Sequence, residues 1–395
     1  IRVAATRDSG PIRVAATRDS RPVILGPSPT TPRPPPPRRS GSLRPVILRP
    51  VILGSLVSKQ PQGQLVDSLG MAHRIRWYLP SMMLEVTIKT LEGRFWLRPD
   101  PQCRAIVLGV FGKALRHYPS VRLHGLETPS NHLHYLVSAG APEELPLFLD
   151  FVHANIARQI NQLRERSGVF WSRRGMVIAV VDGDAQIARL RYLLAQGPKA
   201  GLVASPKDWE GASATPALLG DMTLPATYTS LDVRRRNAKL ARPRPEAALG
   251  ESVPIKFAPL PVWEKRSTKA LRAAHEQLVA GIEEQYASTN HRGATWVRSQ
   301  SPDDRPTDVE RTAAPPCHAS SAATATSYRN AYRAFRDHYR RAAINVAMKR
   351  APAKRAVCSA FPLGAIARAR FYVAPPKSFV LPWHLGSVAA AEVRT

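Results

Sequence analysis

Residues 131–137, NHLHYLV, are the stretch that decides how this chain folds and where its chemistry lies. A strand alternates its side chains between two faces, so His132 and His134 point the same way while the apolar residues between and after them point the other way. Two imidazoles on one face can converge on a single metal ion. The pair alone is weak evidence, because His-x-His pairs also occur by chance on solvated strands.

About sixty residues later, the stretch RLRYLLAQ at 189–196 supplies a second group of polar side chains. A helix places residues four apart on one face, so Tyr192 and Gln196 lie one turn apart beside Arg189. The apolar residues of this helix cluster on the opposite side of the wheel. A tyrosine on the polar side of a helix needs a reason other than core packing, and a nucleophile next to a metal ligand is such a reason.

The order of elements around these motifs predicts an α+β domain. Strict apolar-polar alternation from Leu84 predicts a strand, and two further strands joined by the short turn TPS predict an antiparallel hairpin that ends in the two histidines. Helices are predicted before the hairpin, after it from about Pro142, and at DAQIARLRYLLAQ, where Asp184 is the candidate cap. We expect a ferredoxin-like antiparallel sheet with helices on one face and the other face open.

The first seventy residues differ from the rest. IRVAATRDS occurs at Ile1 and again at Ile12, RPVIL recurs, and a proline-rich run separates the copies. Short repeats without a periodic apolar face cannot bury enough surface to offset the entropy of ordering, so 1–70 are expected to be disordered. Our hypothesis is that they are not native coding sequence and that Met71 begins the functional protein. N-terminal sequencing of native protein that found residues before Met71 would contradict it.

The rest of the chain divides by composition into a catalytic domain and appendages. The predicted segments are 71–211, the catalytic domain; 212–260, a loop-rich connector; 261–287, a helix; 288–326, a linker; and 327–395, a basic aromatic helix and tail. The last helix carries an aromatic stripe with arginines beside it. Such stripes are usually packing surfaces, so packing is favoured there over DNA contact.

Charge and cysteine content limit the class of protein. The chain carries a formal charge of +28 with a pI near 11.0, which favours a phosphate polyanion as partner. Its three cysteines are widely spaced and contain no CxxC pair, which fits a reducing cytoplasm better than a disulfide framework. The longest apolar runs are far too short to cross a bilayer, so no membrane partner is expected.

From about residue 83 to 209 the chain resembles the single-tyrosine HUH transposases, above all the REP-associated tyrosine transposase branch. The likeness is carried by SNHLHYLV from Ser130, HANIARQINQLRERSGVFWSRR from His153 and RYLLAQGPKAGLVASPKDW from Arg191. It covers about a third of the chain. Many REP-associated relatives carry Asn where this chain has Gln196, and Gln is similar to the insertion-sequence branch, so the departure bears on subfamily rather than chemistry.

The resemblance implies an HUH endonuclease fold and a role for each matched residue. His132, His134 and Gln196 would bind Mg²⁺ or Mn²⁺, and Tyr192 would be the nucleophile that forms a 5′-phosphotyrosine. Because imidazole suits first-row ions, Mn²⁺ should support activity at least as well as Mg²⁺. The expected substrate is single-stranded or hairpin DNA, and the expected setting is a bacterial cytoplasm in association with the nucleoid. Relatives act as dimers, so a homodimer is also considered.

Several basic and aromatic residues are candidates for contact with the DNA. Arginines and a lysine could follow the phosphates and an aromatic ring could stack on bases, although an ordinary solvated surface is the alternative for each arginine. The DNA-binding candidates are Arg158, Arg164, Trp171, Arg173, Arg174 and Lys199.

Two other functions compete with the transposase, which would be a DNA endonuclease and strand transferase acting in DNA transposition and recombination. One is a non-catalytic nucleic-acid-binding protein derived from a transposase, which would keep the basic surface without turnover. The other is a rolling-circle replication initiator or relaxase, which shares the paired histidines and a tyrosine. The intact set of four residues favours an enzyme, and the GPKAGLV segment after Tyr192 favours the transposase.

Overall fold

The computed structural model describes most of the chain after the repetitive segment. The described residues are 74–245, 248–306, 314–348, 360–367, 372–376, 381 and 383. The predictions for 1–70, for the start at Met71 and for most of the tail after 348 lie outside these residues.

A five-stranded sheet forms the centre of the described fold. Its strands lie in the order β2-β3-β1-β4-β9, and all neighbours are antiparallel except β4 and β9. The predicted antiparallel sheet is therefore correct for four strands, and a short parallel strand from far along the chain makes the sheet mixed. The strands are β1, Met83–Lys89; β2, Val121–Glu127; β3, His132–Ala139; β4, Met176–Val180; and β9, Cys317–His318.

The hairpin predicted for the histidine motif is present as β2 and β3. On the other side of β3, Lys89 pairs with His132 and Thr87 pairs with His134. Cross-strand partners share a face, so this register puts the odd-numbered side chains of β1, including Glu85, on the face that carries the histidines. The even-numbered side chains of β1 join Tyr135 on the opposite face.

Two long helices cover the Tyr135 face. Helix α1, Pro101–His117, starts where Asp100 accepts a hydrogen bond from the Cys103 amide at 2.7 Å, with a proline in the first turn. Helix α2, Glu144–Leu163, presents an apolar stripe. The Phe111 ring of α1 lies 5.1 Å from Tyr135, measured between centroids, so the helices and the sheet share one apolar core.

Helix α3, Gly183–Leu194, lies on the histidine face, which corrects the prediction of an open face. Gly125 of β2 shows why the helix can approach so closely. A Cβ at this position would lie 3.0 Å from a Leu190 methyl and 3.6 Å from one of Leu193. Apolar side chains of α3 thus rest on the backbone of β2, and the sheet has helices on both faces.

The segment from 212 to 306 is built from short elements around one longer helix. Residues of the predicted connector, such as Ile255 and Phe257, are buried in the same apolar core as the sheet. The short helix α4, Gln196–Lys199, precedes this segment. The elements within it are α5, Thr215–Leu218; β5, Thr223–Leu224; β6, Thr227–Tyr228; α6, Leu231–Ala238; β7, Glu251–Ser252; β8, Ile255–Lys256; α7, Thr268–Tyr286; and α8, Ala294–Ser299. Strand β5 pairs with β8, and β6 with β7.

The C-terminal part of the described chain also packs on the core. Strand β9 lies within 288–326, so this stretch is not only the linker that the sequence predicted: a backbone ladder joins part of it to the sheet. Helix α9, Ala322–Met348, buries Tyr328 and Phe335 of its aromatic stripe, and Phe335 stacks on Trp77 at 4.9 Å. These two side chains are therefore packing surface, which is the role that the sequence analysis favoured for the stripe over DNA contact. None of the described helices has the length and apolar character needed to span a membrane.

Candidate active site

Tyr192 lies above the histidine end of the sheet because of where α3 begins. The Asp182 carboxylate caps the helix by accepting from the Ala185 amide at 2.8 Å, and its other oxygen accepts from the Ser320 amide at 2.8 Å. The sequence suggested Asp184 as the cap, but the structure shows that the cap is Asp182. One carboxylate fixes both the start of the helix and the chain that leaves β9.

Helix α3 presents Tyr192 to solvent between two cations. The tyrosine is 36% exposed, whereas Leu190, Leu193 and Leu194 of the same helix are buried. The Arg189 guanidinium carbon lies 4.0 Å from the centre of the Tyr192 ring, and the Lys199 ammonium lies 4.7 Å from it. The phenol is thus held where an anion approaching from solvent would meet two positive charges.

The two predicted histidines do lie together, and Tyr192 is beside them. The ring centroids of His132 and His134 are 6.3 Å apart, and the His134 centroid is 5.8 Å from that of Tyr192. Gln196 begins α4 directly after α3 and donates a hydrogen bond to the Tyr192 carbonyl at 3.0 Å. Its side chain also contacts His132. The fold therefore gathers all four residues, at the spacing that the two motifs predict.

Each histidine has one ring nitrogen occupied by an acceptor. His132 Nδ1 donates to the Asn131 side-chain oxygen at 2.9 Å, and His134 Nε2 donates to the Glu85 carboxylate. Burial, with the nearby His134 and Lys89, lowers the pKa of His132 to about 3, so this ring is neutral at pH 7. The second nitrogen of a neutral imidazole carries a lone pair.

Glu85 is the centre of a buried polar cluster that the sequence did not identify. One carboxylate oxygen contacts His134 and lies 2.5 Å from the Arg189 guanidinium, and the other contacts His318 of β9. Burial alone would raise the pKa of Glu85, but the bonds from His134 and His318, with the Arg189 charge, hold the pKa well below its ordinary value. Glu85 therefore links the histidine strand, the tyrosine helix and the edge strand.

Glu85 could have been noticed from the alternation of β1, because it belongs to the polar phase of that strand together with Thr87 and Lys89. Only the register with β3 places it on the histidine face, and one sequence does not give that register. His318 carries no such signal, since it lies more than one hundred residues beyond Tyr192 in a polar, proline-containing stretch. Both residues enter the site through tertiary pairing.

The donor set fits a divalent cation in its chemistry. A metal-bound histidine usually donates its other ring nitrogen to a carboxylate or a carbonyl, which fixes the ring and makes it a better ligand. His134 is oriented in this way by Glu85, and His132 by Asn131. The Gln196 amide offers an oxygen as a third donor. Among the described residues, no group of three His, Cys, Asp or Glu side chains has the arrangement of a metal site by itself.

The six predicted DNA-binding residues do not form one surface. Lys199 lies against Tyr192, as described above. Arg164 is committed to the fold, because its guanidinium lies 2.5 Å from the Asp100 carboxylate that caps α1. Trp171 is half-buried and donates to the His153 carbonyl at 2.9 Å, so it packs against α2 and is not an open stacking platform. Arg164 and Trp171 therefore have structural partners within the fold.

The remaining three arginines are exposed, but not beside Tyr192. Arg158 belongs to α2, on the Tyr135 face of the sheet, and bonds to the Asn155 side chain at 3.0 Å. Arg173 and Arg174 precede β4 and line a separate cleft with Tyr328 and Tyr332. The exposed cations thus belong to two sides of the molecule.

Comparisons with known proteins give a likeness among solved structures. No protein-family profile matches the chain, and no curated protein matches it. Among solved structures, it is similar to a REP-associated tyrosine transposase bound to a REP hairpin, with 15% sequence identity and a TM-score of 0.30. The likeness covers 35% of this chain and 80% of that one. A likeness at this level leaves the function to the geometry of the site.

Proposed function

We propose that this protein is a metal-dependent single-stranded DNA endonuclease and strand transferase, a transposase of the single-tyrosine HUH kind. The observation that carries the proposal is an exposed phenol, flanked by two cations, beside two histidines whose orientation is fixed by other side chains. A phenol can serve as the nucleophile, and a pair of imidazoles with an amide oxygen can hold a metal ion, so together these groups suit metal-assisted phosphodiester transfer to tyrosine.

The chemistry follows from the placement of these groups. The Tyr192 oxygen would attack the scissile phosphorus, forming the phosphotyrosine bond as the bond to the 3′ oxygen breaks. The phenol loses its proton and the departing 3′ oxygen gains one, which leaves a free 3′-OH. A divalent ion bound by His132, His134 and Gln196 would polarise the phosphate and stabilise the departing oxygen. Transfer to another 3′-OH reverses the step and joins the strands.

Arg189 and Lys199 have a role in this scheme that their contacts support. Both lie over the Tyr192 ring, and Arg189 is also bonded to Glu85. A guanidinium held by a carboxylate is oriented before the substrate arrives, so it stabilises the charge that develops on the phosphate without reorganising. The exposed tyrosine requires a phosphate outside a regular duplex, which favours a single strand or a hairpin foot as substrate.

The test is a covalent adduct. The full chain is incubated with Mn²⁺ and end-labelled single-stranded DNA pools, and a denaturing gel is examined for labelled protein. We expect an adduct that disappears in Tyr192→Phe and persists in Tyr118→Phe. Tyr118 is a matched control, since it lies half-buried between aromatic rings of α2.

Two results would contradict the proposal as stated. DNA binding without any adduct would favour the non-catalytic nucleic-acid-binding protein. An adduct that survives Tyr192→Phe would place the nucleophile elsewhere. If a chelator left the adduct yield unchanged, the proposed metal dependence would be wrong, but the role of Tyr192 as nucleophile would still stand.

A further inference from the structure

A second site lies on the opposite face of the sheet from Tyr192. A cleft of about 520 Å³ opens between the start of the described chain, the segment before β4 and helix α9. Met176, the first residue of β4, also lines the cleft and pairs with Thr87. The other strand residues in the lining, Leu84, Val177 and Ala179, are out of phase with Glu85 along the paired strands. They therefore belong to the Tyr135 face, so this cleft and the tyrosine site are separated by the sheet.

The lining of the cleft is strongly basic. Arg74, Arg76, Arg173 and Arg174 all line it, and no carboxylate does among the described residues. Burial and the neighbouring Arg76 charge lower the pKa of Arg174, and the weaker influences of Tyr78 and Asp150 oppose them. Like charges gathered in a cleft without a carboxylate in its described lining repel each other, and a bound anion removes that repulsion.

The four arginines divide into a fixed pair and an open pair. Arg74 donates to the Pro315 carbonyl at 2.5 Å and to the Ala314 carbonyl at 2.8 Å, and Arg76 donates to the Gly175 carbonyl at 3.0 Å. These bonds hold two guanidiniums in place at the wall. Arg173 and Arg174 are exposed and have no ion pair among the described residues. Their guanidiniums are available to a ligand.

Aromatic side chains form the rest of the wall. Tyr332 is half-buried and donates its hydroxyl to the Ile75 carbonyl at 2.7 Å, and Tyr328 stacks beside it with ring centroids 6.1 Å apart. Trp77 backs both rings. Of these rings, Tyr332 is partly exposed, while Tyr328 and Trp77 are buried behind it. A fixed ring next to arginines can accept a base face and the adjoining phosphate, which is the combination that single-strand sites use.

We infer that this cleft binds a segment of single-stranded DNA through its phosphodiester backbone, at a place separate from the site where Tyr192 meets the reacting phosphate. The preference for a phosphate anion follows from the cleft itself, and the choice of a DNA strand rests on the proposed function. A strand held on both faces of the sheet would be anchored away from the reacting phosphate, which would keep a cleaved end attached to the protein.

The test measures binding, not cleavage, in the Tyr192→Phe background of the full chain, so that no adduct forms. Fluorescein-labelled dT20 is titrated at several salt concentrations into the Arg173→Gln/Arg174→Gln variant. Each neutralised phosphate contributes about 0.7 to the log-log salt slope of a single-strand complex, so the slope should fall by about 1.4. The matched control is Arg235→Gln/Arg236→Gln, two adjacent exposed arginines in α6.

An unchanged slope in the control supports a specific cleft. Equal slope losses in both variants would reduce the effect to net charge and overturn the inference, as would no loss in the cleft variant. If the cleft variant lost binding of labelled thymidine monophosphate but still bound dT20 normally, the cleft would be a site for a free nucleotide. That result would overturn the inference that it binds a DNA strand. Thermal melts of both variants keep a folding defect from being read as lost binding.

Photo-crosslinking gives a readout that a folding effect cannot imitate. dT20 containing 5-iodouracil is irradiated with the Tyr192→Phe protein, and the crosslinked peptides are mapped. Crosslinks to Tyr332 or to the peptide that carries Arg173 and Arg174 support the cleft, and crosslinks confined to the peptide around position 192 would contradict it. If the adduct test fails while these crosslinks appear, the proposed enzyme is wrong and the cleft inference stands.

Discussion

The two faces of the central sheet are held together by different physics. On the Tyr135 face, the rings of Phe111, Tyr135 and Phe148 pack edge to face at centroid distances of 5.1 and 6.1 Å. On the histidine face, Glu85 and His134 are as deeply buried as those rings but are held by charged hydrogen bonds. One face supplies apolar burial, and the other keeps polar groups in a fixed arrangement next to solvent.

Because the two faces are stabilised differently, substitutions on them should affect different properties of the protein. A side chain on the packed face contributes to stability through the volume it fills, and its loss leaves a cavity. A side chain on the polar face contributes through its partners, and its loss leaves buried charges without them. Substitutions on the two faces should therefore separate the stability of the fold from the chemistry of the site.

The largest expected loss of stability is on the packed face. Phe111→Ala should lower the free energy of unfolding by about 3–5 kcal/mol, since the ring is fully buried between the sheet and α2. Urea denaturation measures this loss. The adduct yield per folded molecule should stay unchanged. Leu147→Ala is the control, because Leu147 is exposed on α2 and its loss should change stability by less than about 0.5 kcal/mol. A lower adduct yield per folded molecule would show that the faces are coupled.

The next largest effect is expected at Glu85. Glu85→Gln removes the negative charge that His134, His318 and Arg189 share, so unfolding should become easier by roughly 3 kcal/mol at pH 7. Guanidinium denaturation of the variant and the parent gives the difference. Glu276→Gln is the control, since its pair with Arg272 is exposed and contributes about 0.5 kcal/mol or less.

The pH dependence of that difference has a defined sign. The folded pKa of Glu85 lies below its unfolded value near 4.5, so its contribution is present above that pH and is lost as pH falls through the folded pKa. The difference in free energy of unfolding between the parent and Glu85→Gln should become smaller below about pH 4.5. A difference that stays constant with pH would mean that the charge of Glu85 is not what stabilises the cluster.

Part of the site could be predicted from the sequence, and part depended on tertiary pairing. The shared face of His132 and His134, and that of Tyr192 and Gln196, could be predicted from the sequence. Each pair lies within one strand or one helix turn, where the spacing fixes the direction of the side chains. Glu85 and His318 could not be predicted in this way, because strand register and a parallel pairing across more than one hundred residues decide their place. The face occupied by α3 was mispredicted for the same reason, since periodicity says which side of a helix is apolar but not which side of a sheet it covers.

The smallest expected effect on stability is at Lys199, which tests whether the cations over Tyr192 serve the fold or the substrate. Its ammonium is exposed and contacts only the face of the tyrosine ring in the described contacts, so Lys199→Met should cost about 0.5–1 kcal/mol of stability at most. If the ammonium meets a phosphate, the same substitution should lower the log-log salt slope of single-strand binding by about 0.7. Lys239→Met, at an exposed position after α6, should change neither quantity. A slope equal to that of the parent would leave Arg189 as the cation that meets the phosphate beside Tyr192, since Arg189 is anchored by Glu85 and Lys199 has no such anchor.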